Sequence, residues 1–231
     1  MGVVPPAGQS SFAERHAEGP WGAWVRSEVG AVRRRLEDAW AVLPGVALGG
    51  EVWDAFAVFD GIGGLPNGQE AAWAAADGLR EAMLRAAAPG EVLRLLDGAV
   101  LATGGASTAA VVLAPRARPG EAWLLGAGDS SVHAPGAPAS VLPHDRVGLH
   151  GVTDGLGLPL RRGHALRWAV PAGGCLLLCS DGVDEVAGRM AVQECLAAPA
   201  GEEGAALARL LERVAERGAP DNATAVLLRR A

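Results

Sequence analysis

The chain has no lysine; every one of its 20 basic Lys+Arg residues is arginine. Without lysine there is no phosphate-binding loop of the GxxxxGK[ST] type and no lysine Schiff-base chemistry. Any phosphate must be held by guanidinium or backbone N–H groups, and the planar guanidinium fork suits bidentate phosphate binding. Tyrosine is absent as well. With the abundance of Ala, Gly, Pro and Arg, this reads as the coding bias of a GC-rich genome. Cysteine is scarce: Cys175, Cys179 and Cys195, an odd number with no CxxC pair. They read as small core residues in a reducing compartment. No apolar run approaches the roughly 18–20 residues of a membrane span, and the first residues lack the order of a signal peptide. The expectation is a cytoplasmic protein with no membrane contact, in which the sequon Asn222-Ala223-Thr224 is accidental. No GxSxG elbow and no HExxH helix is present, so neither a serine-hydrolase nor a zincin mechanism is indicated. A net charge of −6 argues against nucleic acid as a partner.

What is present fits one domain. The 231 residues are half apolar, enough for a sizeable core. Residues 1–12, with Pro-Pro and Gln-Ser-Ser, read as a loose lead-in, and 13–231 as a single domain. Strand-like runs are expected over Trp21–Val32, Ala39–Leu43 and Trp53–Asp60. An Ala/Leu-rich helix over Gln69–Ala88 is broken by Pro89-Gly90, and a second helix runs from Glu91 to about Ala102. Strands return at Ser107–Ala114, Ala122–Ala127 and Cys175–Ser180. A helix over Glu202–Arg217, acidic at its start and basic at its end, and a strand over Ala223–Leu228 close the chain. Strands grouped around helices suggest α+β rather than βαβ alternation.

One local pattern recurs. Asp60-Gly61, Asp129-Ser130 and Asp181-Gly182 each follow an apolar run, while Glu37-Asp38 and Asp221-Asn222 each precede one. A single Asp-Gly is an ordinary turn; five such cases in order are not. Strands of one sheet edge can bring these carboxylates together. Crowded carboxylates repel unless hard cations neutralise them, and all-oxygen sites suit Mg²⁺ or Mn²⁺. The small residue after each Asp permits close approach.

The order of these motifs resembles the metal-dependent protein phosphatases, the type 2C family. Val29-Gly30 through Arg33 to Glu37-Asp38-Ala39 is similar to "VGxxRxxNEDA". Phe56-Ala57-Val58-Phe59-Asp60-Gly61-Ile62-Gly63-Gly64 is similar to "FAVxDGxGG", and Gly105-Ala106-Ser107-Thr108-Ala109 to "GxTA". Gly126-Ala127-Gly128-Asp129-Ser130 resembles "xVGDSR", Leu178-Cys179-Ser180-Asp181-Gly182-Val183 resembles "LCSDGL", and Asp221-Asn222-Ala223-Thr224-Ala225-Val226 matches "DNATxV". The resemblance spans about residues 20–230. It implies an α-β-β-α sandwich of two antiparallel sheets, and removal of phosphate from phosphoserine or phosphothreonine by a hydroxide bridging two metal ions. Two or three Mn²⁺ or Mg²⁺ ions are implied. Asp60 bridges two of them; Glu37 and the Gly61 carbonyl complete one site, Asp181 and Asp221 the other. Asp129, with Asp181, is implied to hold a weaker third ion. Asp38 orients the attacking water and Arg33 binds the substrate phosphate. The implied partners are phosphorylated proteins, substrates of a Ser/Thr kinase, and the implied state is a monomer.

The departures are specific. Ile62 stands where many members have a His that protonates the leaving oxygen, so a metal-bound water is the expected acid. Leu36 replaces the usual Asn, and Ser131 the Arg of "GDSR". The flap is short, with His144-Asp145-Arg146 where "DHS" falls, which predicts a more open site. His133, His144, His150 and His164 are expected to be structural or on the surface, and Arg34 and Arg35 exposed. Two other readings stay open: a catalytically weak relative that binds phosphoproteins, and a phosphatase for small phosphometabolites. A nucleotide site at Gly61-Ile62-Gly63-Gly64 lacks the βαβ context it needs.

Overall fold

A computed structural model of the protein describes residues 11–147, 151–158 and 163–231. Its strands are β1 (Ser11–Glu18), β2 (Trp21–Glu28), β3 (Asp38–Leu48), β4 (Glu51–Asp60), β5 (Ala109–Pro115) and β6 (Glu121–Ala127), followed by β7 (Ser131–His133), β8 (Arg146–Val147), β9 (Gly151–Val152), β10 (His164–Ala169), β11 (Cys175–Cys179) and β12 (Ala223–Arg230). The helices are α1 (Gly68–Arg85), α2 (Val92–Leu101), α3 (Asp181–Leu196) and α4 (Glu203–Glu216).

Two five-stranded antiparallel sheets form, ordered β1-β2-β12-β11-β7 and β10-β6-β5-β4-β3. Their facing sides share one core, which includes Trp40, Val58, Val112, Leu124, Leu178 and Val226. The alternate residues of the same strands point outward. On one sheet Ala57, Phe59 and Val111 pack under α1 and α2. On the other Leu177, Cys179 and Leu227 pack under α3 and α4. The result is the four-layer α-β-β-α sandwich. Both faces of each sheet are covered, so the central strands read as continuous apolar runs instead of alternating ones: β5 and β11 are buried at every position. The alanine stripe of α1 (Ala71, Ala72, Ala75, Ala76, Ala82) brings that helix close to its sheet. Cys175, Cys179 and Cys195 are free and buried, as their setting in apolar runs suggests.

Several expected bounds shift. β2 ends at Glu28 and does not reach Val32, because Gly30 takes φ +78 and a Cβ there would lie 2.2 Å from the Asp221 carbonyl oxygen. A helix not expected from the sequence, α3, begins at Asp181. Its apolar stripe is out of phase because Gly188 (φ 79, ψ 161) breaks the helical path. The weak strands β1, β7, β8, β9 and β10 were also not expected. β10 is largely exposed and β7, β8 and β9 are two or three residues long, too short to carry a period. β1 begins at Ser11, two residues inside the expected lead-in; the rest of that segment, and His150, lie outside the described residues.

Candidate metal centre

The strand ends decide where the acidic residues go. β3 begins at Asp38, which is paired with Asp60 at the end of the neighbouring β4. β11 ends one residue before Ser180, and Asp181 opens α3. Asp221 stands just before β12, and Asp129 just after β6. All these termini lie at one end of the sandwich. There, Arg33, Glu37, Asp60, Gly61, Asp129, Asp181 and Asp221 line a single cavity of about 240 Å³, with Ile62, Gly63, Thr108, Val152 and Asn222 completing its wall. Asp38 is the exception. It is fully buried beneath that wall.

Close backbone packing holds the termini. A Cβ on Gly61 would lie 2.4 Å from the Gly68 carbonyl oxygen, and one on Gly182 would lie 1.9 Å from the Asn222 carbonyl oxygen. Only glycine fits such approaches. Thr108 ties two ligand-bearing turns together. Its Oγ1 accepts from the Asp60 N–H (3.1 Å) and shares a hydrogen bond of 2.6 Å with Ser130 Oγ. Asn222 clamps the segment that carries Arg33 and Glu37. Its amide donates to the carbonyls of Val29 (2.8 Å) and Arg35 (2.9 Å), and its Oδ1 accepts from the Glu37 N–H (2.7 Å). Leu36, in place of the expected Asn, is buried, and its carbonyl accepts from Gln69 Nε2 (3.0 Å).

The electrostatics are those of crowded carboxylates. Burial, then repulsion from Asp38, Asp181, Asp129 and Asp221, holds the Asp60 carboxyl well above the ordinary range. Burial pushes Asp181 up to about 6, helped by Asp129, Glu185 and Asp221 and opposed by Arg146. Asp38 is pushed up to about 7, chiefly by burial, although hydrogen bonds from Thr224 and Ser180 oppose the shift. Ser180 Oγ donates to Asp38 Oδ2 (2.8 Å). Asp38 Oδ1 is buried with no hydrogen-bond partner among the described residues. A set of acceptor-only oxygens that raise one another's pKa is a set short of positive charge. Hard divalent cations supply that charge, and the residues present fit them.

Two arginines partly fill the deficit. Arg33 Nη2 donates to Asp221 Oδ2 (2.7 Å), and this hydrogen bond is the main reason its guanidinium holds its proton more tightly than usual. A Cβ on Gly63 would lie 3.2 Å from Arg33 Nη1, so this arginine spans the cavity rim. Arg146, which the sequence did not mark as a site residue, donates through Nε to Asp129 Oδ2 (2.7 Å), through Nη2 to Asp181 Oδ2 (3.1 Å), and through Nη1 to Glu185. The short flap therefore does not simply open the site. Val152 lines the cavity, and Arg146 bonds to two of its carboxylates, Asp129 and Asp181.

The expected histidine roles can be compared with the structure for three of the four. His133 Nε2 pairs with Asp184 Oδ2 (2.8 Å), Ser131 Oγ bridges Asp184 (2.7 Å) and His144 (3.0 Å), and His164 pairs with Asp145 (3.1 Å). These are structural contacts. Ser131, in place of the expected Arg, belongs to this network. His133, Cys179 and Asp184 also bring ligand-type atoms within 4.8 Å of one another. Hydrogen bonds already occupy His133 Nε2 and Asp184 Oδ2 there, and burial holds the Cys179 thiol well above its ordinary pKa. No histidine lines the carboxylate cavity among the described residues. Arg34 and Arg35 are exposed. No helix of the described residues is long and apolar enough to cross a membrane.

No protein-family model matches the chain, and no curated protein matches its sequence. Solved structures do match its fold. PppA, described as a key regulatory component of T6SS in Pseudomonas aeruginosa, is 23% identical over 91% of this chain and 98% of its own, with a TM-score of 0.72. The Mycobacterium tuberculosis serine/threonine phosphatase PstP/Ppp is 22% identical over 91% and 98%, with a TM-score of 0.69. The catalytic domain of the serine threonine protein phosphatase PstP in complex with two manganese ions is 23% identical over 90% and 97%, with a TM-score of 0.67. The chain thus has the fold of bacterial serine/threonine phosphatases across nearly its whole length.

Proposed function

We propose that this chain is a metal-dependent phosphatase acting on phosphoserine and phosphothreonine in proteins, the substrates of a Ser/Thr kinase. The observation that carries this reading is the convergence of Glu37, Asp60, Gly61, Asp181 and Asp221 on one cavity, with Arg33 at its rim. Asp60, Glu37 and the Gly61 carbonyl would hold one divalent cation, and Asp60, Asp181 and Asp221 a second. The manganese ions of the PstP structure support this class of metal. Bound ions would neutralise the carboxylates, acidify water and polarise the phosphoryl oxygens.

The chain's own groups then have distinct tasks. Arg33, the one cation lining this acidic cavity among the described residues, presents the fork that binds the phosphoryl oxygens. Thr108 and Asn222 fix the turns so that the carboxylates meet without rearrangement. Asp38 Oδ1, buried beside the Asp60 strand end with no hydrogen-bond partner among the described residues, would orient the attacking water. Ile62 can neither give nor accept a proton, so the leaving serine oxygen is protonated by water rather than by a side chain at that position. Every carboxylate implied by the resemblance is present in or beneath the cavity, which weighs against a weak relative that only binds phosphoproteins.

The test is phosphate release from a phosphothreonine peptide with Mn²⁺, with Mg²⁺ and with chelator, for the wild type, Asp60→Asn and Asp221→Ala. Metal-dependent release lost in both variants is the expected result. A folded wild type that releases nothing under any metal, on the peptide or on small phosphate esters, refutes the reading. Release from small esters alone moves it to phosphometabolites.

A further inference from the structure

Arg146 sits in β8, in a hairpin pinned to the rest of the domain by backbone hydrogen bonds. The Asp145 N–H donates to the Gly128 carbonyl (2.8 Å), and the Thr153 N–H to the Asp145 carbonyl (2.8 Å). Its side chain is only 18% exposed, and each of its three nitrogens is committed to a different carboxylate: Asp129, Asp181 and Glu185. Burial disfavours its charge, yet the hydrogen bonds to Asp129 and Glu185 more than offset this, so the group stays cationic at any working pH. This is not a surface arginine that happens to meet an acid. The turn after β6 and the first residues of α3 face it from both sides, and both present acid.

We infer that Arg146 is a built-in cation standing where the sequence resemblance places a third metal ion, so that this chain binds one divalent ion fewer than its Asp129–Asp181 pair would otherwise hold. The inference rests on the cavity being a metal centre. An ion bridging the two Oδ2 atoms needs oxygen ligands at about 2.0–2.1 Å for Mg²⁺. The guanidinium, with Nε 2.7 Å from one oxygen and Nη2 3.1 Å from the other, occupies that space. It supplies a single, permanent positive charge that does not exchange with solution. It also anchors the hairpin to Asp181 whether or not metal is present. Of the ligands proposed for the two remaining positions, Arg146 shares one, Asp181, through its Oδ2.

The experiment counts Mn²⁺ ions per chain on the full-length protein, by native mass spectrometry and calorimetric titration, for the wild type, Arg146→Ala and Arg146→Gln. Arg146→Gln keeps a hydrogen-bonding side chain in the hairpin, so it provides a reading if the smaller residue fails to fold. The expected result is one additional ion in the variants, lost again when Asp129→Asn is added. Equal counts in wild type and variants overturn the inference, as does an additional ion that survives Asp129→Asn. The wild-type count tests the metal-centre reading separately: two ions support it. None, with an ion still gained on removing Arg146, removes the phosphatase reading and leaves the Arg146 inference standing.

Discussion

In the absence of metal, this protein is expected to lose stability as the pH rises from 5 to 7.5. Asp181 carries the effect most directly. Its carboxyl is pushed from 3.8 up to about 6 in the folded chain. The sign follows from proton counts. Between these two values the folded state binds more protons than the unfolded state, so unfolding becomes easier as the pH rises, and the loss levels off above the folded value. Each pKa unit corresponds to about 1.4 kcal/mol, or about 3 kcal/mol for the full shift, of which about half is lost above pH 5. The side chain is 31% exposed, and solvent screening brings the figure observable between pH 5 and 7.5 to about 1 kcal/mol. For a chain of this length that is roughly 2–4 °C in Tm. Asp38, pushed up to about 7, and Asp60 act in the same direction. The assay is a thermal melt in chelator at pH 5.0, 6.0, 7.0 and 7.5, repeated with Mn²⁺. Metal should flatten the slope and raise Tm most at pH 7.5. In chelator Asp181→Asn should be more stable than the wild type by a margin that widens by a few degrees between pH 5 and pH 7.5. A metal-free Tm that is flat or rising across this range, or an Asp181→Asn variant no more stable than wild type at pH 7.5, refutes the reasoning.

Three further outcomes follow from the geometry. Asn222→Ala removes three hydrogen bonds and leaves a buried N–H and two carbonyls without partners; roughly 2–4 kcal/mol of destabilisation is expected, read by urea denaturation, together with weaker Mn²⁺ binding as Glu37 loosens. Gly182→Ala places a Cβ 1.9 Å from a backbone carbonyl oxygen that cannot swing away; a loss of at least about 1–3 kcal/mol is expected, and an unchanged melting curve would contradict the packing described. The pH–rate profile of the wild type should lack an imidazole limb, while Ile62→His should acquire one near about 6.5; a wild-type limb at that pH would mean that another histidine reaches the leaving oxygen.

Much of this protein is legible in its sequence. The carboxylates at strand ends, the glycines beside them and the order of the motifs depend on local sequence, and a strand's end places its flanking residue at a sheet edge almost regardless of the rest. The Asp60–Gly61 and Asp221–Asn222 turns can be read in this way, and both line the cavity. α3 cannot, because Gly188 breaks its period. Neither can the clamp by Asn222, which joins positions 185 to 193 residues apart in sequence. The sequence by itself determined which residue types carry the chemistry and, through its apolar runs, that strands and helices build an α+β core. Only the tertiary structure decided which charges meet: that Asp38 lies buried beneath the cavity, that Arg33 rests on Asp221, and that Arg146 reaches Asp129 and Asp181. The physical reason is that local pattern fixes the direction of a side chain relative to its own strand or helix, whereas Coulomb and hydrogen-bond energies depend on ångström-scale distances between elements that packing alone sets.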